Sequence, residues 1–165
     1  SDILLENQPW RNAPMAKWLV KTESSECGID DFATATNNTI PWDGVRNYQA
    51  RNFLRQMQVG DEVLIYHSSC QLIGVAGTVQ VVRDAYPDPT QFDPDSPYHD
   101  ARSAPDAPRW DAVDLRFRER LSRVIPLQEL KQNPQLQAMP LVRKGNRLSV
   151  MPVSDEEWET ILTLA

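Results

Sequence analysis

The stretch Ala16-Lys17-Trp18-Leu19-Val20-Lys21-Thr22 alternates along its whole length. Trp18, Val20 and Thr22 fall on one side, and Lys17, Leu19 and Lys21 on the other, the period-2 pattern of a β-strand. Working outward, residues 62–69 repeat the pattern, with Val63, Ile65 and His67 against Leu64, Tyr66 and Ser68. Residues 72–83 form a valine-rich run in which Gly74 and Gly77 signal a bulge or a close backbone approach. Residues 111–124 set Val113, Leu115 and Phe117 against Asp114, Arg116 and Arg118. A last short strand is expected at 147–150.

Between these strands the period lengthens. In 47–58, Ala50, Phe53, Leu54 and Met57 fall at i, i+3, i+4 and i+7, the single apolar stripe of a helix. Tyr48, Arg51 and Arg55 make a second stripe on the same helix. Asp30 is placed to cap a short helix to about residue 36, and 127–132 and 134–139 read as two more. Ser154 and Glu157 have the spacing of a capping box that opens a final helix to residue 164, burying Trp158, Ile161 and Leu162. Residues 37–39 read as a polar loop, and Pro41-Trp42-Asp43-Gly44 as a turn. Prolines 87, 89, 94, 97, 105 and 108 forbid regular ladders over 86–110, while the aromatics there favour an ordered, packed loop.

The pattern gives an α+β fold, one domain over 15–165, built on a small curled sheet or barrel with helices inserted between strands. Residues 1–14 read differently and are expected to be a cloning remnant or an N-terminal extension. A net charge of −6 argues against a protein that coats nucleic acid, but leaves room for a local basic site. Cys27 and Cys70 make no disulfide framework and no CxxC, as expected of reduced thiols in a cytosolic or nuclear protein. No apolar run reaches the ~18 residues that span a bilayer, so no membrane partner is expected.

Five groupings carry chemistry. Trp42-Asp43-Gly44-Val45-Arg46-Asn47-Tyr48 gathers aromatic, carboxylate, amide and guanidinium groups at a helix start. Those are the types that stack on a base, read its edge and hold a phosphate. The plainer alternative is a turn with Trp42 in the core and Arg46 in solvent. Tyr48, Arg51 and Arg55, with Lys21, could form a basic patch or a solvated helix face. Tyr66-His67-Ser68-Ser69-Cys70 admits a nucleophile reading through His67 and Cys70, or a strand ending in a turn. His99 among Asp88, Asp93, Asp95 and Asp100 could suggest a metal site, but Asp-Pro turns account for the pattern without EF-hand spacing. Arg143-Lys144-Gly145-Asn146-Arg147 is a basic turn, either solvated or touching phosphate. The usual dinucleotide, P-loop, serine-hydrolase and zincin motifs are absent, and no cofactor or metal is expected.

Several of these blocks together resemble the EVE domain of the PUA-like superfamily, a relative of the YTH domain. They are Lys17-Trp18-Leu19-Val20-Lys21-Thr22-Glu23, the run from Trp42 to Asn52, Gly60-Asp61, Tyr66-His67-Ser68, the run from Ala85 to Phe92, Pro108-Arg109-Trp110, and Arg147-Leu148-Ser149-Val150 with Pro152-Val153. The chain departs from the family pattern at Thr22, often Ser, and at Ser24, often Pro. The resemblance implies a mixed β-barrel flanked by helices and a pocket for a modified base. The expected partner is DNA or RNA carrying such a base, most simply 5-methylcytosine in DNA.

Carried over, Trp42 becomes a cage wall, with Trp110 or Tyr66 as another. Lys21, Thr22 and Glu23 become the floor, and Asp43, Asn47 and His67 read the base, with Val45 and Ser68 alongside. Arg46, Tyr48, Arg51 and Arg55 become phosphate contacts. The chemistry expected is binding rather than catalysis. A small nucleobase-acting enzyme using His67 or Cys70, or a protein-interaction module using the proline-rich loop, stands as the alternative. Such a protein would sit in the cytoplasm of a bacterium or the nucleus of a eukaryote.

Overall fold

The structure is a computed structural model that describes residues 15–22, 28–68 and 72–165. Glu23, Cys27 and Cys70, and residues 1–14, lie outside the described residues.

Among the described residues, six strands form one mixed sheet: β1 (Lys17–Thr22), β2 (Thr39–Trp42), β3 (Glu62–His67), β4 (Gly74–Pro87), β5 (Asp111–Pro126) and β6 (Val150–Val153). Their order is β2-β5-β4-β3-β1-β6, so the sheet stays open, with β2 and β6 at its ends. β1 and β3 run parallel, with Lys17 opposite Glu62 and Thr22 opposite His67. The other pairings are antiparallel. A register shift at Ile65/Tyr66 accommodates the expected bulge in β4. The close approach is also present: a Cβ on Gly77 would lie 2.5 Å from Ile29 Cγ1 and 2.6 Å from the Glu119 carbonyl.

Two of these strands differ from the sequence pattern. β2 occupies what reads as loop and turn, and β6 lies three residues beyond the expected 147–150. Both are four residues long and both carry a proline, Pro41 and Pro152. Proline cannot donate to a ladder and is tolerated on edge strands, which is where both lie. β4 also continues to Pro87, taking Tyr86 into the sheet.

Helices α1 (Ile29–Thr34) and α2 (Tyr48–Gln56) cover one face of the sheet, and α3 (Leu127–Gln132) and α4 (Asp155–Leu164) the other. Alternation in the strands therefore feeds two cores rather than one. Trp18, Val20, Val63 and Ile65 join Phe32, Ala50 and Leu54. Leu19, Leu64 and Tyr66 join Leu130, Trp158 and Ile161. A sheet covered on both sides explains why β3 is buried from Val63 to Tyr66. α2 begins at the Asn47 cap, whose Oδ1 accepts from the Ala50 N–H at 2.9 Å. α4 opens on the expected Ser154/Glu157 capping box. The expected helix at 134–139 is a single 3-10 turn, Pro134–Leu136.

The loop between β4 and β5 is ordered by one amide. Gln91, fully buried, donates to the carbonyls of Asp88 (2.7 Å) and Trp110 (2.8 Å), and its Oε1 accepts from the Arg109 and Trp110 N–H groups. It closes the neck of the proline-rich excursion. The aspartates there act as turn formers: Asp93 accepts from the Asp95 N–H, and Asp100 from the Arg102 N–H and Trp110 Nε1.

At the other end of β1, Asp61 is 2% exposed. Its carboxylate accepts from Trp18 Nε1 (3.0 Å), the Gln58 N–H (3.0 Å) and the Ala16 N–H (3.2 Å). It thereby fixes the start of β1 to the α2–β3 turn. Asp61→Ala strands three donors and is expected to lower unfolding free energy by about 3 kcal/mol in urea titration. A loss below about 1 kcal/mol would show that water replaces the carboxylate there.

Candidate functional site

Parallel pairing brings the C-terminal ends of β1 and β3 side by side, so Lys21, Thr22 and Ser68 open at the same edge of the sheet. Ser68 is held there by its N–H and its hydroxyl, both donating to the Thr22 carbonyl at 2.8 and 3.1 Å. The Lys21 N–H donates to the Ser149 carbonyl at 2.9 Å, drawing the segment before β6 alongside. The end of β2 and the turn into α2 form the facing wall. Together they enclose an open cleft of about 1080 Å³. Lys21, Thr22, Trp42, Asp43, Val45, Arg46, Asn47 and Ser68 all line it.

Trp42 is only 9% exposed and stacks on Phe32, with centroids 6.2 Å apart and planes 16° apart. Phe32 is wholly buried, so the indole is backed by core and fixed in orientation. The turn after Trp42 needs glycine: Gly44 has φ +78°, and a Cβ there would lie 2.8 Å from the Tyr98 ring. Asn47 lines the cleft while its Oδ1 caps α2, leaving its Nδ2 hydrogens without a partner among the described residues.

Charge in the cleft is desolvated. Burial pushes the Lys21 ammonium below its ordinary value. Burial also raises the Asp43 carboxyl, and the nearby Asp88 charge adds to the rise. Asp88 behaves differently. Burial opposes its ionisation, but hydrogen bonds from the Thr90 hydroxyl, the Gly44 N–H (2.8 Å) and Arg46 (3.0 Å) outweigh it and hold the carboxyl below the usual range.

Other expected site residues lie elsewhere or face inward. Tyr66 points to the opposite face of the sheet and packs in the second core. His67 Nε2 accepts from the Ile29 N–H at 3.2 Å, and burial lowers its pKa, so the ring is a neutral anchor for α1. Trp110, 5% exposed, sits behind Arg46 and stacks on Tyr48 at 4.7 Å.

Arg46 uses all five of its N–H donors inside the protein: on Tyr98 O twice, Val45 O, Asp88 Oδ2 and Thr90 Oγ1. Arg51 donates to the Arg109 carbonyl and to Asn52 Oδ1, and Arg55 pairs with Asp111. Tyr48 is half exposed, with the Arg51 guanidinium 4.7 Å from its ring centroid. Arg147, Ser149, Tyr98 and Asp31 also line the cleft, and sequence reasoning did not assign them to it. The signal for Arg147 was the basic turn; Tyr98 and Asp31 had none. Among the described residues no cluster of three or more His, Cys, Asp or Glu could hold a metal, and no helix is long and apolar enough to cross a membrane.

The mixed sheet, two-sided helical cover and cleft at the β1/β3 ends belong to a known class: the EVE domain model matches residues 16–164, and the chain is a member of the EVE family. Its relatives include mouse thymocyte nuclear protein 1, 43% identical over 89% of this chain and 72% of that protein. A solved protein from Pseudomonas syringae is 52% identical, covering 90% of this chain and 99% of that one, with a TM-score of 0.88. The human THYN1 protein, solved in complex with DNA containing 5-methylcytosine, is 40% identical over 90% of this chain and 96% of that chain, with a TM-score of 0.85.

Asp88→Asn is expected to cost about 3 kcal/mol near pH 7 by leaving the Arg46 charge unpaired. A depressed carboxyl contributes stability above its unfolded value near 4 and loses it as pH falls through the lower folded value. The gap between wild type and Asp88→Asn, measured by chemical denaturation, should therefore narrow below about pH 4. A gap that stays constant through that range would take the Asp88 charge out of the account.

Proposed function

We propose that the cleft binds a single modified nucleobase, most simply 5-methylcytosine in DNA, and that the protein is a binding module rather than an enzyme. The observation that carries this reading is the cleft itself. It combines a core-backed indole with a small set of desolvated polar groups. An aromatic face stacks on any base and contributes roughly 1–3 kcal/mol. A cytosine edge presents two acceptors and an amino donor. Asn47 Nδ2 supplies a donor, and the Asp43 carboxyl accepts from the amine. Arg147 and Ser149 stand beside them. The human THYN1 complex supports the choice of ligand, since its chain shares 40% identity with this one and superposes with a TM-score of 0.85.

Two features favour binding over turnover. His67 Nε2 is engaged in accepting from the Ile29 N–H. The Ser68 hydroxyl, which lines the cleft, is engaged with the Thr22 carbonyl. Among the phosphate contacts expected from the resemblance, Arg46 has a role as a strut for that wall.

Methyl burial against the indole contributes about 1 kcal/mol, or about five- to tenfold in affinity. Matched oligonucleotides containing cytosine or 5-methylcytosine should therefore differ by about that factor in titration. Trp42→Ala should abolish binding, and Trp42→Phe, which keeps an aromatic on Phe32, should retain a weakened form of it. Equal affinity for methylated and unmethylated strands, or undiminished binding in both variants, would sink the reading.

A further inference from the structure

The basic turn at 143–147 gives only Arg147 to the cleft. The rest of it borders a second hollow of about 570 Å³ on the far side of Lys21, which lines both. Lys131, Arg143 and Lys144 rim this hollow, Leu127 and Val142 give it an apolar floor, and no carboxylate lines it among the described residues. The turn is built to project. The Asn146 N–H donates to the Arg143 carbonyl (3.3 Å), Asn146 Oδ1 accepts from the Leu148 N–H (2.9 Å), and Gly145 at φ +79° has nothing within 4 Å of where a Cβ would stand.

Lys17, Arg46, Arg55, Arg120 and Arg123 are each neutralised by an ion pair. Lys21, Lys131, Arg143, Lys144 and Arg147 form none among the described residues, as is true of six other arginines, but these five gather around the cleft and the hollow beside it. On a chain with a net charge of −6, this is a local reversal of sign.

We infer that the second hollow and its turn carry the phosphodiester backbone of the nucleic-acid strand next to the base held in the cleft. The inference rests on the base-binding reading above. A base cannot enter the cleft without leaving its flanking phosphates at the mouth, and Lys21 makes the mouth continuous with the hollow. Backbone contacts of this kind position a strand without reading its sequence. They also explain how an acidic protein whose Arg46 and Arg55 are ion-paired within the fold holds a polyanion.

The test uses a single-stranded oligonucleotide with one central 5-methylcytosine, titrated over a range of salt concentrations. Arg143→Ala/Lys144→Ala is compared with wild type and with Arg116→Ala/Arg118→Ala, which removes equal charge from exposed positions on β5. Each lost phosphate contact should make the slope of log K against log salt shallower by about 0.7. The turn variant should lose about 1.4 and the β5 variant nothing. The methyl preference, and the affinity for free 5-methyldeoxycytidine, should be the same in all three. Equal slopes in the turn variant and the β5 variant would overturn the inference while leaving base binding intact. So would oligoglutamate competing as well as an unmodified oligonucleotide, which would make the turn a docking site for an acidic peptide. A wild type that binds neither oligonucleotide nor nucleoside would overturn the base-binding reading as well.

Discussion

Asp88 has no exposed side-chain surface, yet it carries a charge, and the geometry of the cleft depends on how that charge is met. It lies just after β4, at the neck of the proline-rich loop. From there it accepts from Gly44 in the turn after β2 and from Arg46 at the entry to α2. Arg46 then reaches back to the Tyr98 carbonyl further along the same loop. A segment remote in sequence is thus clamped to the cleft wall through one carboxylate and one guanidinium. Both ions are desolvated, so the clamp is stable only because every donor and most acceptor positions are filled.

The same constraint gives the cleft its chemistry. A wall supported from behind cannot relax toward a ligand, so its aromatic and polar groups are held in place before anything binds, which limits the ordering cost of recognition. Burial lowers the Lys21 ammonium and raises the Asp43 carboxyl because water is scarce there. In such a place hydrogen bonds to a base edge are stronger than at an open surface. The two-layered cover of the sheet serves the same end: α1 brings Phe32 behind Trp42, and α2 brings its Asn47 cap to the opening.

The central strands were legible in the sequence because each has a clean period-2 pattern, and α2 and α4 because stripe and cap agree. The edge strands were not, since four residues interrupted by proline leave no periodicity to find. The cleft was legible in part. Lys21, Thr22, Trp42, Asp43, Val45, Asn47 and Ser68 do meet there, and the stretch from Trp42 to Tyr48 was recognisable as a turn dense in base-reading groups. The fate of the arginines was not legible, because an arginine that meets a carbonyl 52 residues away looks in sequence like one that faces solvent. Tyr66 was separable from the cleft only by knowing that both faces of β3 are covered.

The prolines at the sheet's two ends have a consequence for assembly. An open sheet ordinarily invites another strand to extend it, since its outermost backbone amides lack partners. Here the outermost strand at each end is four residues long and one of the four has no amide hydrogen to offer. Neither β2 nor β6 is therefore a useful template for a further strand. Extension of the ladder at these two strands, into a fibre or a strand-swapped dimer, is discouraged.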